Sequence, residues 1–279
     1  MKLKSHSFHF RKLARSRAAL ALPLTFLILF VSTLGIVGFT YYFSVEKISS
    51  QGQTLKVSTA KQNLISLNEA VISTLWQPGS SATFDLEDSG GLLNIQSASN
   101  ILTLTVNDGS GIAETIFNTT IGKVTYEFPY SDSAATGLYL KGDSRTITNQ
   151  SGSSISQMCI VNGAEHPEIQ LRFRPTVTYA TMGLEEGRPI NNIRVYIVNL
   201  NSSSPIALHG RLPLKISCTN TLLTTKSYQV DYQPENLVIT STLDVDSGSV
   251  SIPISSNTEG AIINIEMVIS NISITRWIR

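Results

Sequence analysis

Residues 18–45 read AALALPLTFLILFVSTLGIVGFTYYFSV, 28 positions without a charge. Wound into a helix at 1.5 Å per residue, such a run measures about 42 Å, more than the roughly 30 Å hydrocarbon core of a bilayer. It predicts a membrane-spanning helix. The residues before it, 1–17, carry Lys2, Lys4, Arg11, Lys12, Arg15 and Arg17 and no acid, against only Lys47, Lys56 and Lys61 in the comparable stretch after it. Basic residues stay on the cytoplasmic side, so the expectation is a single pass with a cytoplasmic N-terminus and everything beyond Val45 outside the cell. Tyr41, Tyr42 and Phe43 fit the outer interface. Pro23 is expected in the first turn or so, where a missing N–H costs little.

Composition narrows the function. Of 279 residues, 36 are Ser and 27 are Thr, only 15% are charged, and the net charge is +1. No basic field is present to hold a nucleic acid. The 42% hydrophobic content is too high for a disordered chain. With two Cys and four His in the chain, a four-ligand zinc site is not expected. Six of the 21 basic residues sit in the first 17, leaving 15 against 20 acidic residues beyond. The charge asymmetry is confined to one end.

Three readings compete for residues 18–45. A secretory signal peptide would have a shorter apolar core and a small-x-small exit, and no such exit precedes Glu46. An uncut single-pass anchor is the second. The third starts from the junction Arg15-Ser16-Arg17-Ala18-Ala19-Leu20, where a basic and then a small residue stand directly before the apolar run. This junction resembles the class III signal of archaeal type IV pilins and archaellins, and the resemblance extends over residues 11 to about 75. It implies a prepilin peptidase that recognises Arg17, Ala18 and Ala19 and cuts between Ala18 and Ala19, leaving the apolar helix at the new N-terminus. Many members have Glu at the fifth mature position, which here is Pro23. That departure points to a minor or pseudo-pilin rather than a bulk filament subunit.

Residues 46–76 continue as a helical stem. Val57, Ala60, Leu64, Leu67, Val71 and Leu75 recur every three or four positions, the stripe of an amphipathic helix. Such a seam can pack on the chain's own outer domain, on copies of itself, or on both in succession. Gly52 predicts a break or kink between Ser49 and Thr54. Gln77-Pro78-Gly79 predicts the helix end.

From residue 77 to 279 the period changes from 3.6 to 2. Alternating runs at 101–107 (ILTLTVN), 121–128 (IGKVTYEF), 168–174 (EIQLRFR), 193–199 (IRVYIVN), 236–243 (NLVITSTL) and 261–269 (AIINIEMVI) read as strands with one buried face. Turns are expected at 107–109, 141–144 and 246–249. The fold expected is mainly β with a long N-terminal helix: a basic leader (1–17), a hydrophobic helix (18–45), an amphipathic stem (46–76) and an extracellular antiparallel β-sandwich-like head (77–279). The head is read as one domain, with two stacked sub-sandwiches as the alternative. Cys159 and Cys218 fall in strands and are expected either to pair as a disulfide or to be buried as free thiols. Sequons at Asn118, Asn149, Asn201 and Asn271 are candidate N-glycosylation sites, with Asn149 and Asn201 in loop-like surroundings and Asn271 in a strand.

No nucleophile elbow, HExxH pair, P-loop or CxxC occurs, and only His166 and His209 lie outside the leader and helix. Gly142-Asp143-Ser144 and Asp244-Val245-Asp246-Ser247-Gly248 read as turns rather than as a hydrolase triplet and a calcium loop. Tyr126, Tyr130 and Tyr139 read equally as core residues or as a contact surface. No cofactor, metal, nucleic acid or small-molecule substrate is expected. The expected partners are the membrane, a prepilin peptidase and other pilin-like subunits; the function is assembly, adhesion or display at the cell surface. A non-assembling single-pass receptor-like protein is the alternative, and an exported enzyme the third.

Overall fold

The computed structural model describes residues 8–128, 136–149, 152–163 and 166–277, with side chains from Pro23 onward among the first of these. The described chain is mainly β with one long N-terminal helix. Helix α1 runs Phe8–Thr74. Thirteen strands follow: β1 Ser81–Leu86, β2 Leu92–Asn107, β3 Ala113–Glu127, β4 Tyr139–Lys141, β5 Ser156–Asn162, β6 Pro167–Phe173, β7 Thr176–Glu185, β8 Arg188–Asn199, β9 Ile206–His209, β10 Leu212–Val230, β11 Asn236–Leu243, β12 Asp246–Pro253 and β13 Ala261–Arg276. The chain divides into two compact units, Met1–Thr54 and Leu55–Arg279.

Two expectations about the helix change. Pro23 lies inside α1, not in its first turn, because the helix already begins at Phe8. No break occurs between Ser49 and Thr54; one Gly costs only about 1 kcal/mol, and the helix formers on either side of Gly52 carry it through. The helix ends at Thr74, slightly before the Pro-Gly signal. Trp76 turns left-handed there with φ 66°, and its ring meets Tyr196 edge-on at 5.2 Å. Ser80 Oγ donates to the Thr74 carbonyl at 2.8 Å, which satisfies one of the free carbonyls at the helix end.

In the second unit the strands form two sheets. One has the order β1-β10-β13-β8-β7; the other runs β12-β11-β2-β3-β6-β5-β4, with β9 added alongside β2. Pairing is antiparallel except between β8 and β13, which run parallel from Ile190↔Ile262 to Asn199↔Asn271. The expected all-antiparallel arrangement is corrected there. Four strands separate β8 from β13 in the chain, so no tight turn dictates their relative direction. The turn expected at 246–249 is instead part of β12; the reversal falls at Asp244-Val245, where Asp244 takes φ 55° as a two-residue hairpin requires.

Buried apolar side chains gather in two clusters. The first joins the α1 stripe Val57, Ala60, Leu64, Leu67, Val71 and Leu75 to residues of both sheets, among them Leu93, Val124, Met158, Leu171, Ile216 and Ile272. All six stripe positions predicted from spacing are buried. The second cluster contains no helix residue and is built from Leu102, Leu104, Val195, Ile239, Ile263, Ile265 and others. Strands β2, β3, β8, β10 and β13 contribute to both, so they bind the two cores into one unit. A register shift between Gln96 and Asn100 bends β2 against β3 where the first core gives way to the second.

Asn68 is wholly buried beside the stripe, and neither its amide nitrogen nor its oxygen has a partner. In urea denaturation of the detergent-solubilised chain, Leu67→Ala is expected to cost about 2–5 kcal/mol. Asn68→Leu should raise stability by about 1–3 kcal/mol, because it removes two unpaired polar atoms from the core without changing its shape. Loss of stability in Asn68→Leu would mean that the amide is paired in solution.

Candidate functional site

From Pro23 the helix surface is apolar on every side, with a stretch of mean hydropathy 2.0, none of it buried. Leu24 is 60% exposed, Phe26 and Phe39 are 72% and Tyr41 is 73%. The helix is long and apolar enough to cross a membrane. Four of its hydroxyls are closed off internally. Ser32 Oγ donates to the Ile28 carbonyl at 2.7 Å, Thr33 Oγ1 to Leu29 at 2.6 Å, Thr40 Oγ1 to Ile36 at 2.8 Å and Ser44 Oγ to Thr40 at 2.7 Å. An unpaired hydroxyl in hydrocarbon is costly, and these four need no partner outside their own helix. Arg17, Ala18 and Ala19 belong to the helical backbone upstream of Pro23, where side chains lie outside the described residues.

On the β unit the candidate residues do not converge. Cys159 and Cys218 are both free and buried. Cys218 joins the first core, as do Met158 and Ile160 on either side of Cys159. Strand alternation therefore turns Cys159 to the opposite face of its sheet, so a disulfide would have to pass through the sheet. Burial pushes the Cys159 thiol above its usual pKa, which leaves it a poor nucleophile. Asn118 is exposed on β3, Asn149 is half-buried and Asn201 is exposed in a turn. Asn271 is only 7% exposed, and its Nδ2 donates to Asn220 Oδ1 at 2.7 Å. The nitrogen that a glycan would join is thus held inside the fold.

The other polar candidates are held by hydrogen bonds and ion pairs within the fold. His209 Nδ1 lies 3.0 Å from the Gly91 carbonyl, in contact with backbone rather than with another catalytic group. Tyr126 is core: its hydroxyl meets Ser89 Oγ at 2.6 Å and accepts from Gly91 N at 2.9 Å. Tyr139 is half-buried in β4, and Tyr130 lies outside the described residues. Asp143 accepts from Arg145 Nη2 at 2.6 Å and from Arg174 Nη1 at 2.5 Å. Those two guanidinium groups hold its carboxyl well below the ordinary range. Spacing alone did not single out Arg174, whose side chain is fully buried. A signal was present in EIQLRFR, where Arg172 and Arg174 alternate with core positions and share the outer face. Asp244 is tied to Asn100 and to the Ile101 N–H, while Asp246 pairs with Arg172 at 3.3 Å. Among the described residues no group of three or more His, Cys, Asp or Glu comes together that could hold a metal. Compared with known protein families, curated proteins and solved structures, the chain matches none.

The β2–β3 turn is held by a second depressed carboxylate, Asp108. Burial opposes ionisation of Asp108, but hydrogen bonds from the Gly111, Ser110 and Ile112 N–H groups and from the Tyr232 hydroxyl outweigh it, and its pKa falls from 3.8 to about 2. Burial and the same carboxylate push Tyr232 up to about 12. A depressed acid stabilises the fold above its unfolded value and loses that contribution as pH falls through the folded one. Asp108→Asn is therefore expected to lower the urea midpoint at pH 7 and to flatten its decline between about pH 4 and about pH 2. An unchanged acid profile would show that the turn does not depend on this charge.

Proposed function

We propose that this chain is a pilin-like cell-surface protein of the minor or pseudo-pilin kind, inserted through α1 with its N-terminus in the cytoplasm and displaying a sandwich-like β head outside the cell. The observation that carries this reading is one helix with two kinds of surface. From Pro23 to Ile48 its large side chains are exposed and apolar, whereas from Val57 to Leu75 its stripe is buried among strands. An ordinary anchor needs only the first part. A subunit that must deliver a folded head on a stiff insertion helix needs both. The basic leader and the Arg15–Leu20 junction add the processing signal, and cleavage after Ala18 leaves the helix as the mature N-terminus.

The head contributes a surface rather than a catalyst in this reading. Arg145, Arg172, Arg174, Arg188, Arg194 and Arg211 are each paired with a carboxylate, and the exposed Asn118 and Asn201 are the sequons best placed to carry glycans. Adhesion or contact with neighbouring surface subunits follows from display, with the membrane, a prepilin-type peptidase and other pilin-like subunits as partners.

N-terminal sequencing of the protein isolated from cell membranes tests the proposal. A start at Ala19 is expected, with Arg17→Glu abolishing the cut. An intact Met1 leader would assign the chain to uncut single-pass anchors, and a start beyond Val45 would make the helix a discarded signal peptide. Either result overturns the reading.

A further inference from the structure

The helical start at Phe8 places the Ala18–Ala19 bond well inside α1. A peptide bond in a helix is a poor substrate, because proteolysis proceeds from a locally opened backbone. Around this bond the backbone is held by the i to i+4 pattern, in which the carbonyls of Arg17, Ala18 and Ala19 face the N–H groups of residues 21, 22 and 23. Residue 23 is proline. It has no N–H for the Ala19 carbonyl, and its ring crowds that carbonyl out of line. Residues 18–22, Ala-Ala-Leu-Ala-Leu, are otherwise among the strongest helix formers. Pro23 is the only proline in α1, and no glycine occurs between Phe8 and Leu34. The single weak point in that part of the helix therefore lies directly beside the junction.

We propose that Pro23 is a positioning residue for leader removal: it lowers the cost of opening α1 over residues 17–20, so that the peptidase takes this segment in extended form. In the cleavage step water adds its oxygen to the Ala18 carbonyl carbon, the C–N bond to Ala19 breaks, and the Ala19 nitrogen takes up the proton. The products are a leader ending in a carboxylate and a mature chain beginning with an amine. Pro23 touches neither the water nor the reacting carbonyl; it acts by removing the hydrogen bond of the next residue. This gives a purpose to proline at the position where many of the resembling proteins have glutamate, and it rests on the processing reading above.

The test follows leader loss in the full-length chain by mass, after pulse labelling in cells that carry a prepilin-type peptidase. Alkaline extraction verifies that each variant is inserted. Pro23→Ala should slow removal by about tenfold or more, since restoring one well-formed helical hydrogen bond raises the opening barrier by that order. Pro23→Gly should retain much of the wild-type rate, and adding Leu20→Gly to Pro23→Ala should restore it, because each loosens the helix without a proline ring. Wild-type chain that keeps its leader sinks the processing reading itself. Wild-type chain that is cut, with Pro23→Ala cut equally fast, sinks only the role of Pro23. A slow Pro23→Ala that neither glycine rescues would show that the ring is recognised directly, which overturns helix opening as the cause.

Discussion

Sixteen large apolar or aromatic side chains between Leu24 and Ile48 are exposed on α1. At about 1.5–3 kcal/mol for burying each, removing them from water is worth tens of kcal/mol, well beyond the roughly 5–15 kcal/mol that holds a typical domain together. No rearrangement of the β unit could compete with that drive. Lipid or other apolar helices would satisfy that drive, and the internally bonded Ser32, Thr33, Thr40 and Ser44 hydroxyls suit either environment. Every functional reading of this chain has to begin from that demand.

The same helix changes character without changing geometry. Beyond Val57 its apolar positions contract to a stripe, and the stripe is consumed by the first core of the β unit. The consequence is mechanical. Pulling residues 57–75 out of the second unit would expose six core side chains and the wholly buried Asn68 together, so this stretch is lost only with the core it fills. Trp76, turned left-handed and packed on Tyr196, closes that anchorage at the helix end.

Beyond the helix, the long strands do the organising. β2, β3, β8, β10 and β13 each pass through both hydrophobic clusters, which is why two cores behave as one compact unit. Charged groups act at its corners: Asp108 gathers the β2–β3 turn, Asp143 ties Arg145 to the buried Arg174, and Asp244 secures the β11–β12 reversal against β2.

What can be read along the chain is whatever depends on near neighbours in sequence. The uncharged run, the basic leader, the stripe from Val57 to Leu75 and the alternation of six strands all follow from spacing, because helical and extended backbones impose fixed periods on their own side chains. The parallel pairing of β8 with β13, the division of the head into two cores, and the opposite faces of Cys159 and Cys218 depend on residues tens of positions apart, and no local period encodes them. The same holds for Asn271, whose sequon is legible but whose nitrogen is claimed by Asn220 from another strand. Pro23 shows the boundary between the two kinds of information. Its missing N–H is plain in the sequence, yet only the helical start at Phe8 places it inside α1 rather than in the first turn.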